Sequence, residues 1–199
     1  MKLTKLFFAA VIVLSASASF AQGINQISPT SASHLVNINI QDVALLGLVS
    51  STETDITLEG TAPTVAGEAM NFDDATDSSI WLNYSSIPKG GVERKITVKI
   101  TDGTVPTGLK LTVQTTNSAT GNGKLGTIVG GAIDIPSATA LSAATILEGI
   151  TSAFTGSGSG QGHNLTYKLG YTTSEADDYA KLDEVIASEL TITYTLSEI

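Results

Sequence analysis

The chain has no cysteine, few aromatic residues and few charged ones. Among its 199 residues, 6% are aromatic and 15% are charged, whereas about 25% are charged in an average domain. The absence of cysteine excludes disulfide bonds, thiol catalysis, cysteine-ligated metals and lipid attachment through an N-terminal cysteine. Apolar packing and backbone hydrogen bonds must therefore stabilise the fold, while Thr, Ser, Gly and Asn supply most of the polar surface.

Basic residues are scarce as well. The 10 Lys and Arg residues are outnumbered by 19 Asp and Glu residues, which gives a formal net charge of −9. Nucleic acids need clusters of Lys and Arg against their phosphates, and anionic lipid head groups attract the same clusters. The charge balance therefore predicts that neither nucleic acid nor an anionic membrane surface is a partner.

The first 21 residues have the pattern of an export signal. Lys2 and Lys5 make the start positive, residues 6–14 form an unbroken apolar run, and residues 19–21 (SFA) offer a small-x-small cleavage site. That run is too short to span a bilayer of about 30 Å, so no membrane span is expected. We predict a mature chain of 178 residues with a formal net charge of −11, located in the periplasm, at the cell surface or outside the cell.

Short segments of alternating apolar and polar residues predict an all-β fold. The predicted strands are residues 35–41, 43–49, 55–59, 79–85, 93–101, 108–115, 127–135, 144–151, 164–170 and 190–196. Nine to eleven such strands, separated by turn residues, favour an Ig-like or pilin-like antiparallel β-sandwich. Segments 93–101 and 108–115 are expected to be neighbouring antiparallel strands. The continuous apolar run at 43–49 leaves a helical turn open as an alternative to a strand.

The predicted domain organisation is simple. A polar leader at 22–34 is expected to be flexible, and residues 35–199 to form one β-sandwich domain. One short helix is predicted near residues 175–187, capped by Ser174, with an ordered loop as the alternative.

No constellation of residues predicts catalysis. The only histidines are His34 and His163, and neither lies beside a nucleophile motif such as G-x-S-x-G. The glycines at 156–162 do not follow the G-x-G-x-x-G pattern of a dinucleotide loop. We therefore expect no enzymatic activity, no catalytic residue and no cofactor.

Two weaker site hypotheses remain. Asp73, Asp74 and Asp77 lie in a predicted loop and are candidate Ca²⁺ ligands, although they lack the spacing of a dedicated calcium loop. Trp81 is a candidate for stacking on a sugar, but a lone Trp in an aromatic-poor chain more often fills the core, and we expect it there.

Four segments carry a resemblance to known proteins: SIWLNYSS (79–86), ERKITVKITDGTVPTGLKLTV (93–113), TGSGSGQGHNLTYKL (155–169) and LTITYTL (190–196). Together they resemble uncharacterised secreted β-sandwich proteins of Bacteroidota, a group with no activity to carry over. LTITYTL alone is also similar to the closing strand of pilin-like subunits of the spore coat protein U type. Such subunits donate an N-terminal strand to a neighbour, and the resemblance places this role on residues 35–41. The chain departs from them by lacking their cysteine pair.

The residues themselves also point to residues 35–41, where Val36, Ile38 and Ile40 share one face. A strand-forming segment behind a polar leader can pair with its own sheet, as the first strand of a monomer, or with the edge of another molecule. The predicted function is an exported, non-catalytic structural or adhesive surface component, and a pilin-like subunit that assembles by strand pairing is one form it could take. Its partners would be further copies or other surface subunits, with a periplasmic chaperone. The alternative function is an extracellular glycan- or ligand-binding module.

Overall fold

A computed structural model describes residues 30–183 and 188–199. The chain divides into two units, Met1–Asn39 and Ile40–Ile199. The predicted signal peptide, residues 22–29 of the predicted leader and residues 184–187 of the predicted helix lie outside the described residues. The second unit contains all the strands named below.

The described residues form nine strands, all paired antiparallel. They are β1 (Val43–Val49), β2 (Thr76–Ile87), β3 (Arg94–Asp102), β4 (Leu109–Thr115), β5 (Asn122–Ile128), β6 (Ile133–Asp134), β7 (Ala144–Phe154), β8 (His163–Tyr171) and β9 (Thr191–Glu198). One short helix, α1 (Glu175–Asp178), precedes a 3-10 turn at Tyr179–Lys181, and a second 3-10 turn lies at Lys89–Gly91. No helix among the described residues is long and apolar enough to cross a membrane.

The pairing arranges the strands in two halves of a β-sandwich. One half has the order β1-β2-β8-β4-β6 and the other β5-β7-β3-β9. Ser85 and Ser86, near the end of β2, pair with Phe154 and Ala153 of β7 and so join the halves at one corner. The predicted all-β antiparallel sandwich with a short helix is therefore confirmed.

The core is one cluster of apolar side chains, contributed mainly by β2, β3, β4, β7 and β8. Alternation creates it, because every second residue of a strand faces the same side. In β3, for example, Ile96, Val98 and Ile100 are at most 1% exposed, while Thr97 and Lys99 between them are half-buried. Burial of each such side chain contributes about 1.5–3 kcal/mol, which is how a chain without disulfides holds two layers together.

A buried arginine ties four strands together at one end of the sandwich. Arg94, which is 3% exposed, places its Nη2 2.6 Å from Asp42 Oδ1 and 3.7 Å from Glu198 Oε1. Its Nη1 donates to the carbonyl oxygen of Val43 and, over 3.3 Å, to Ser86 Oγ. The guanidinium group thus links β1, β2, β3 and β9 where β1 begins.

Two predicted strands are wrong. Residues 35–41 belong to no strand, although their alternation is the clearest in the chain, and residues 55–59 form none either. Alternation makes a segment able to form a strand, but a strand exists only where a neighbouring edge accepts its hydrogen bonds. Ile56 and Leu58 nevertheless pack against the core, so alternate apolar side chains of this segment face inward although it forms no strand.

Two further details of the strand prediction are corrected. Segments 93–101 and 108–115 are not neighbours, because β3 pairs with β7 and β9 whereas β4 pairs with β6 and β8. Their connection therefore crosses from one half of the sandwich to the other. The predicted strand at 127–135 is interrupted, as its glycines suggested: β5 ends at Ile128 and Gly130 has a positive φ of 73°.

The predicted helix is shorter than 175–187 in the described residues. Ser174 caps α1 as expected, with its Oγ accepting from the Asp177 backbone nitrogen at 3.2 Å. Asp178 at the end of α1 is 1% exposed, and its carboxylate accepts from Lys181 Nζ at 2.7 Å and from the Thr173 nitrogen at 2.5 Å. These hydrogen bonds, that of Lys181 first, lower the pKa of Asp178.

Candidate functional site

The residues predicted to act in assembly are exposed. Val36, Ile38 and Ile40 are 63%, 83% and 75% exposed, and Leu35 is 83% exposed. Residues 35–41 carry no charged side chain, and their polar members are Asn37, Asn39 and Gln41. The segment therefore combines a strand-forming pattern with apolar side chains that the described structure leaves in water.

The two histidines have different environments. His34 is exposed, whereas His163 at the start of β8 is 2% exposed. The Nδ1 atom of His163 lies 2.8 Å from the carbonyl oxygen of Thr116, and its ring stacks on that of Tyr84, with centroids 5.8 Å apart. Burial lowers the pKa of His163, which the hydrogen bond to Thr116 only partly offsets.

Tyr84 closes this buried cluster. Its hydroxyl group donates to the carbonyl oxygen of Leu125 at 2.5 Å and lies 3.4 Å from Nε2 of His163. Burial raises the pKa of Tyr84 well above its usual value of 10. The cluster thus joins β2, β5 and β8 through neutral side chains, which is what a packed interior requires.

The calcium candidates do not converge. The Asp77 carboxylate accepts from the backbone nitrogen and the hydroxyl of Ser79, at 2.9 and 2.7 Å. The backbone nitrogen of Asp73 donates a hydrogen bond to Asn71 Oδ1 at 2.6 Å. Within residues 30–183 and 188–199, no group of three or more His, Asp or Glu side chains is placed to hold a metal ion. Calcium binding by Asp73, Asp74 and Asp77 stays a prediction.

Trp81 does not fill the core, contrary to our expectation. It lies on β2 between Ile80 and Leu82, which are 2% and 0% exposed, so alternation turns it to the outer face. Its side chain is half-buried, and its register partners are Val49 on β1 and Asn164 on β8. Part of the indole can therefore meet a ligand from solvent.

The structure also contains a groove that sequence analysis did not single out. Its volume is about 900 Å³, and it lies between the outer face of β4 and β8 and the loop at 61–73. The pairing register of β4 and β8 brings four of the groove residues together. Lys110 lies opposite Gly170, and Thr112 lies opposite Lys168. Lys110 and Thr112 alternate with the apolar Leu109 and Leu111, so the sequence predicts that they face outward. The sequence does not predict that β4 lies beside β8.

The loop wall of the groove is fixed at its base. Thr61 and Asn71 exchange two backbone hydrogen bonds of 2.7 and 2.9 Å. The ring of Phe72 packs edge-on against that of Tyr171, with centroids 5.2 Å apart. The Tyr171 hydroxyl donates to the carbonyl oxygen of Met70 at 2.8 Å. The wall is therefore attached to β8 by both an aromatic contact and a hydrogen bond.

The groove contains charges of both signs. Lys168 is exposed and has no ion-pair partner among the described residues, while Lys110 has only the exposed Asp134, at 3.8 Å. Three carboxyl groups also line the groove, those of Glu68, Asp73 and Glu175. Burial and, next, the charge of Glu175 raise the pKa of the Tyr171 hydroxyl group.

Comparisons with protein-family models, with curated proteins and with solved structures find no match to this chain. No function therefore carries over from a relative, and the geometry above is the basis for the proposals that follow.

Proposed function

We propose that the chain is an exported, non-catalytic structural or adhesive component of the cell surface whose copies associate by strand addition through residues 35–41. The observation that carries this proposal is the exposure of Leu35, Val36, Ile38 and Ile40 in a segment that forms no strand in its own sheet. Burying one such side chain contributes about 1.5–3 kcal/mol. Val36, Ile38 and Ile40 share one face of an extended segment, so together they give a substantial driving force for association.

The edges of the sandwich differ in their suitability as acceptors. β6 has only two residues, and β5 is irregular, with positive φ values at Gly123 and Gly126 and a register shift between them. β1 and β9, by contrast, are seven and eight residues long, and in the described residues each pairs with a single strand. Long regular edges of this kind are templates for an added strand.

Side-chain pattern favours β9 over β1. The inward residues of β9 are Ile192, Tyr194 and Leu196, all only half-buried, and its outward residues include exposed Thr191, Thr193 and Thr195. Residues 35–41 have the same alternation of apolar and neutral polar side chains. An added strand would therefore place Val36, Ile38 and Ile40 beside half-buried apolar neighbours, and its Asn residues beside Thr. On β1, by contrast, outward residues such as Leu45 are apolar, and they would lie beside the polar Asn residues of the added strand.

Charged substitutions test the proposal. The triple variant V36D/I38D/I40D should abolish oligomers of the mature protein in sedimentation, and filaments or ladders in an envelope extract, because carboxylates cannot be buried in the apolar contact. The matched control is V65D/L141D, since Val65 and Leu141 are also exposed, at 59% and 106%. A wild-type protein that sediments as a single monomeric species, with no ladder in the extract, would refute strand addition.

The outward position of Trp81 supports the second candidate function, a glycan- or ligand-binding module. A half-buried indole on a sheet face offers an apolar surface on which a sugar ring can stack. Its fluorescence reports binding directly, because Trp81 is the only Trp in the chain. Indole emission that is unchanged by added polysaccharides would exclude binding at this residue.

A further inference from the structure

The groove between β4, β8 and the loop at 61–73 has the size of a ligand site. Its volume of about 900 Å³ falls within the range of roughly 300–1,000 Å³ that small-molecule sites occupy. Its loop wall is attached at Thr61, Asn71 and Met70, as described above, so the groove exists before any ligand arrives. A preformed groove costs little ordering on binding.

The floor of the groove has a gap between two lysines. Gly170 lies opposite Lys110 and two residues from Lys168 on the same face of β8. Among the residues that the structure describes, no atom lies within 4 Å of a Cβ atom added at Gly170, so they leave the space above it open. Lys110 and Lys168 both line the groove and belong to adjacent strands on the face that carries this opening. A ligand anion above Gly170 would attract both ammonium groups.

The position of these lysines is unusual for an acidic chain. Carboxylates are plentiful, since the chain has 19 Asp and Glu residues against 10 Lys and Arg. Among residues 30–183 and 188–199, however, Lys168 has no carboxylate within ion-pair distance. Lys110 has one, that of Asp134, at 3.8 Å. A ligand anion above Gly170 would satisfy both ammonium groups. The carboxylates of Glu68, Asp73 and Glu175 in the same groove would repel a densely charged polyanion.

The remaining lining residues match hydroxyl groups. Thr61, Thr64, Asn71 and Thr112 offer donors and acceptors, and the carboxylates accept hydrogen bonds from hydroxyl donors. Tyr171 adds a half-buried aromatic ring at the end of the groove. A ligand with many hydroxyl groups and an isolated negative charge fits this set best.

We propose that the groove binds an oligosaccharide bearing a carboxylate, such as a uronic acid unit, with the carboxylate held above Gly170 between Lys110 and Lys168. Binding is independent of strand addition, because no residue of 35–41 lines the groove. The two activities therefore succeed or fail separately.

Calorimetric titration of the mature protein with a cello-oligosaccharide that ends in a single glucuronic acid unit, and so carries one carboxylate, tests the proposal. The uronate should bind, and a neutral cello-oligosaccharide should bind at least about tenfold more weakly, because charge-assisted hydrogen bonds are lost. K168A and K110A should each weaken uronate binding by about tenfold, and added salt should weaken it as well. K89A is the matched control, since Lys89 is exposed and lies outside the groove.

A groove-filling variant makes the test independent of charge. G170L should abolish binding while leaving the thermal melt unchanged, because the added side chain enters open space and Gly170 has no positive φ. Three results would overturn the proposal: no uronate binding, equal affinity for the uronate and the neutral sugar, or a K168A variant that binds like wild type. Tighter binding of a sulfated oligosaccharide than of the uronate would overturn the carboxylate assignment.

Discussion

The hydroxyl groups of Tyr167 on β8 and Tyr194 on β9 lie 2.7 Å apart inside the sandwich and hydrogen-bond to each other. β8 belongs to one half of the sandwich and β9 to the other. The pair is therefore a polar link across an otherwise apolar interior, between the edge that we propose as the acceptor and the opposite layer.

The Tyr pair predicts a non-additive mutant cycle. Y167F or Y194F alone should lower the free energy of unfolding by about 1–3 kcal/mol, because the remaining hydroxyl group is buried without its partner. The double variant Y167F/Y194F should be at least about as stable as either single variant, because neither buried hydroxyl group is left without a hydrogen-bond partner. Urea unfolding monitored by circular dichroism measures all four proteins. Additive losses in the double variant would contradict this account of the pair.

Alkaline pH should destabilise the fold through the same residues. Burial raises the pKa of Tyr167 to about 12 and that of Tyr194 still further. The unfolded chain therefore loses these protons first, so the stability they contribute is complete below pH 10 and falls as pH rises above it. Thermal melts between pH 8 and 12 should show this loss in the wild type and a smaller loss in Y167F/Y194F.

Mild acid should destabilise the fold through His163. Its pKa is lowered by burial below the usual 6.5, so the unfolded state binds the proton more readily. Stability should therefore be complete above pH 6.5 and decrease as pH falls below it. H163Q should remove this part of the pH dependence in urea titrations, although it lowers stability at every pH. H34Q is the control, because His34 is exposed and its replacement should leave the profile unchanged.

Arg94 should be the most sensitive charged residue of the sandwich. R94A removes the donor to Val43 and Ser86, and we expect a loss of about 1.5–3 kcal/mol, the range for hydrogen bonds to a charged group. D42A should cost less, because the Asp42 side chain is 49% exposed and water can replace it. Chemical unfolding of both variants compares them. Equal losses would place the energy in the ion pair rather than in the buried donor.

The absence of cysteine allows a direct test of the proposed acceptor edge. A chain with N39C and T193C should form disulfide-linked ladders on oxidation in the register of strand addition that pairs Asn39 with Thr193, because directly opposed Cα atoms lie within the 4.4–6.8 Å that a disulfide needs. The pair N39C/G47C tests the β1 edge in the same way. Each single-cysteine chain is the control, and ladders from N39C/G47C alone would assign the acceptor to β1 instead.

Alternation predicted several strands of the fold, since residues 93–101, 108–115, 164–170 and 190–196 all lie in or nearly coincide with observed strands. The continuous apolar run at 43–49 also forms a strand and not a helical turn. Alternation failed at residues 35–41, where the pattern is clearest. Period-2 patterning reports that a segment can be half-buried in a sheet; whether an edge is free to receive it depends on the other strands. The same limitation explains why β3 and β4 are not neighbours.

The candidate sites were less predictable than the fold. The expectation for Trp81 rested on composition, whereas its position follows from its place between inward Ile80 and Leu82. The two groove lysines lie 58 positions apart in the chain, so nothing local connects them. Their juxtaposition depends on β4 pairing with β8 in one register.

The sequence by itself determined that this is an all-β chain stabilised without disulfides, because patterning and composition act locally and each residue carries its own preference for burial. Only the tertiary structure decided which strands are neighbours, that Val36, Ile38 and Ile40 remain in water, and that Lys110 and Lys168 flank an opening at Gly170. These are relationships between distant residues, and they are set by the free energy of packing the whole chain rather than by any single segment.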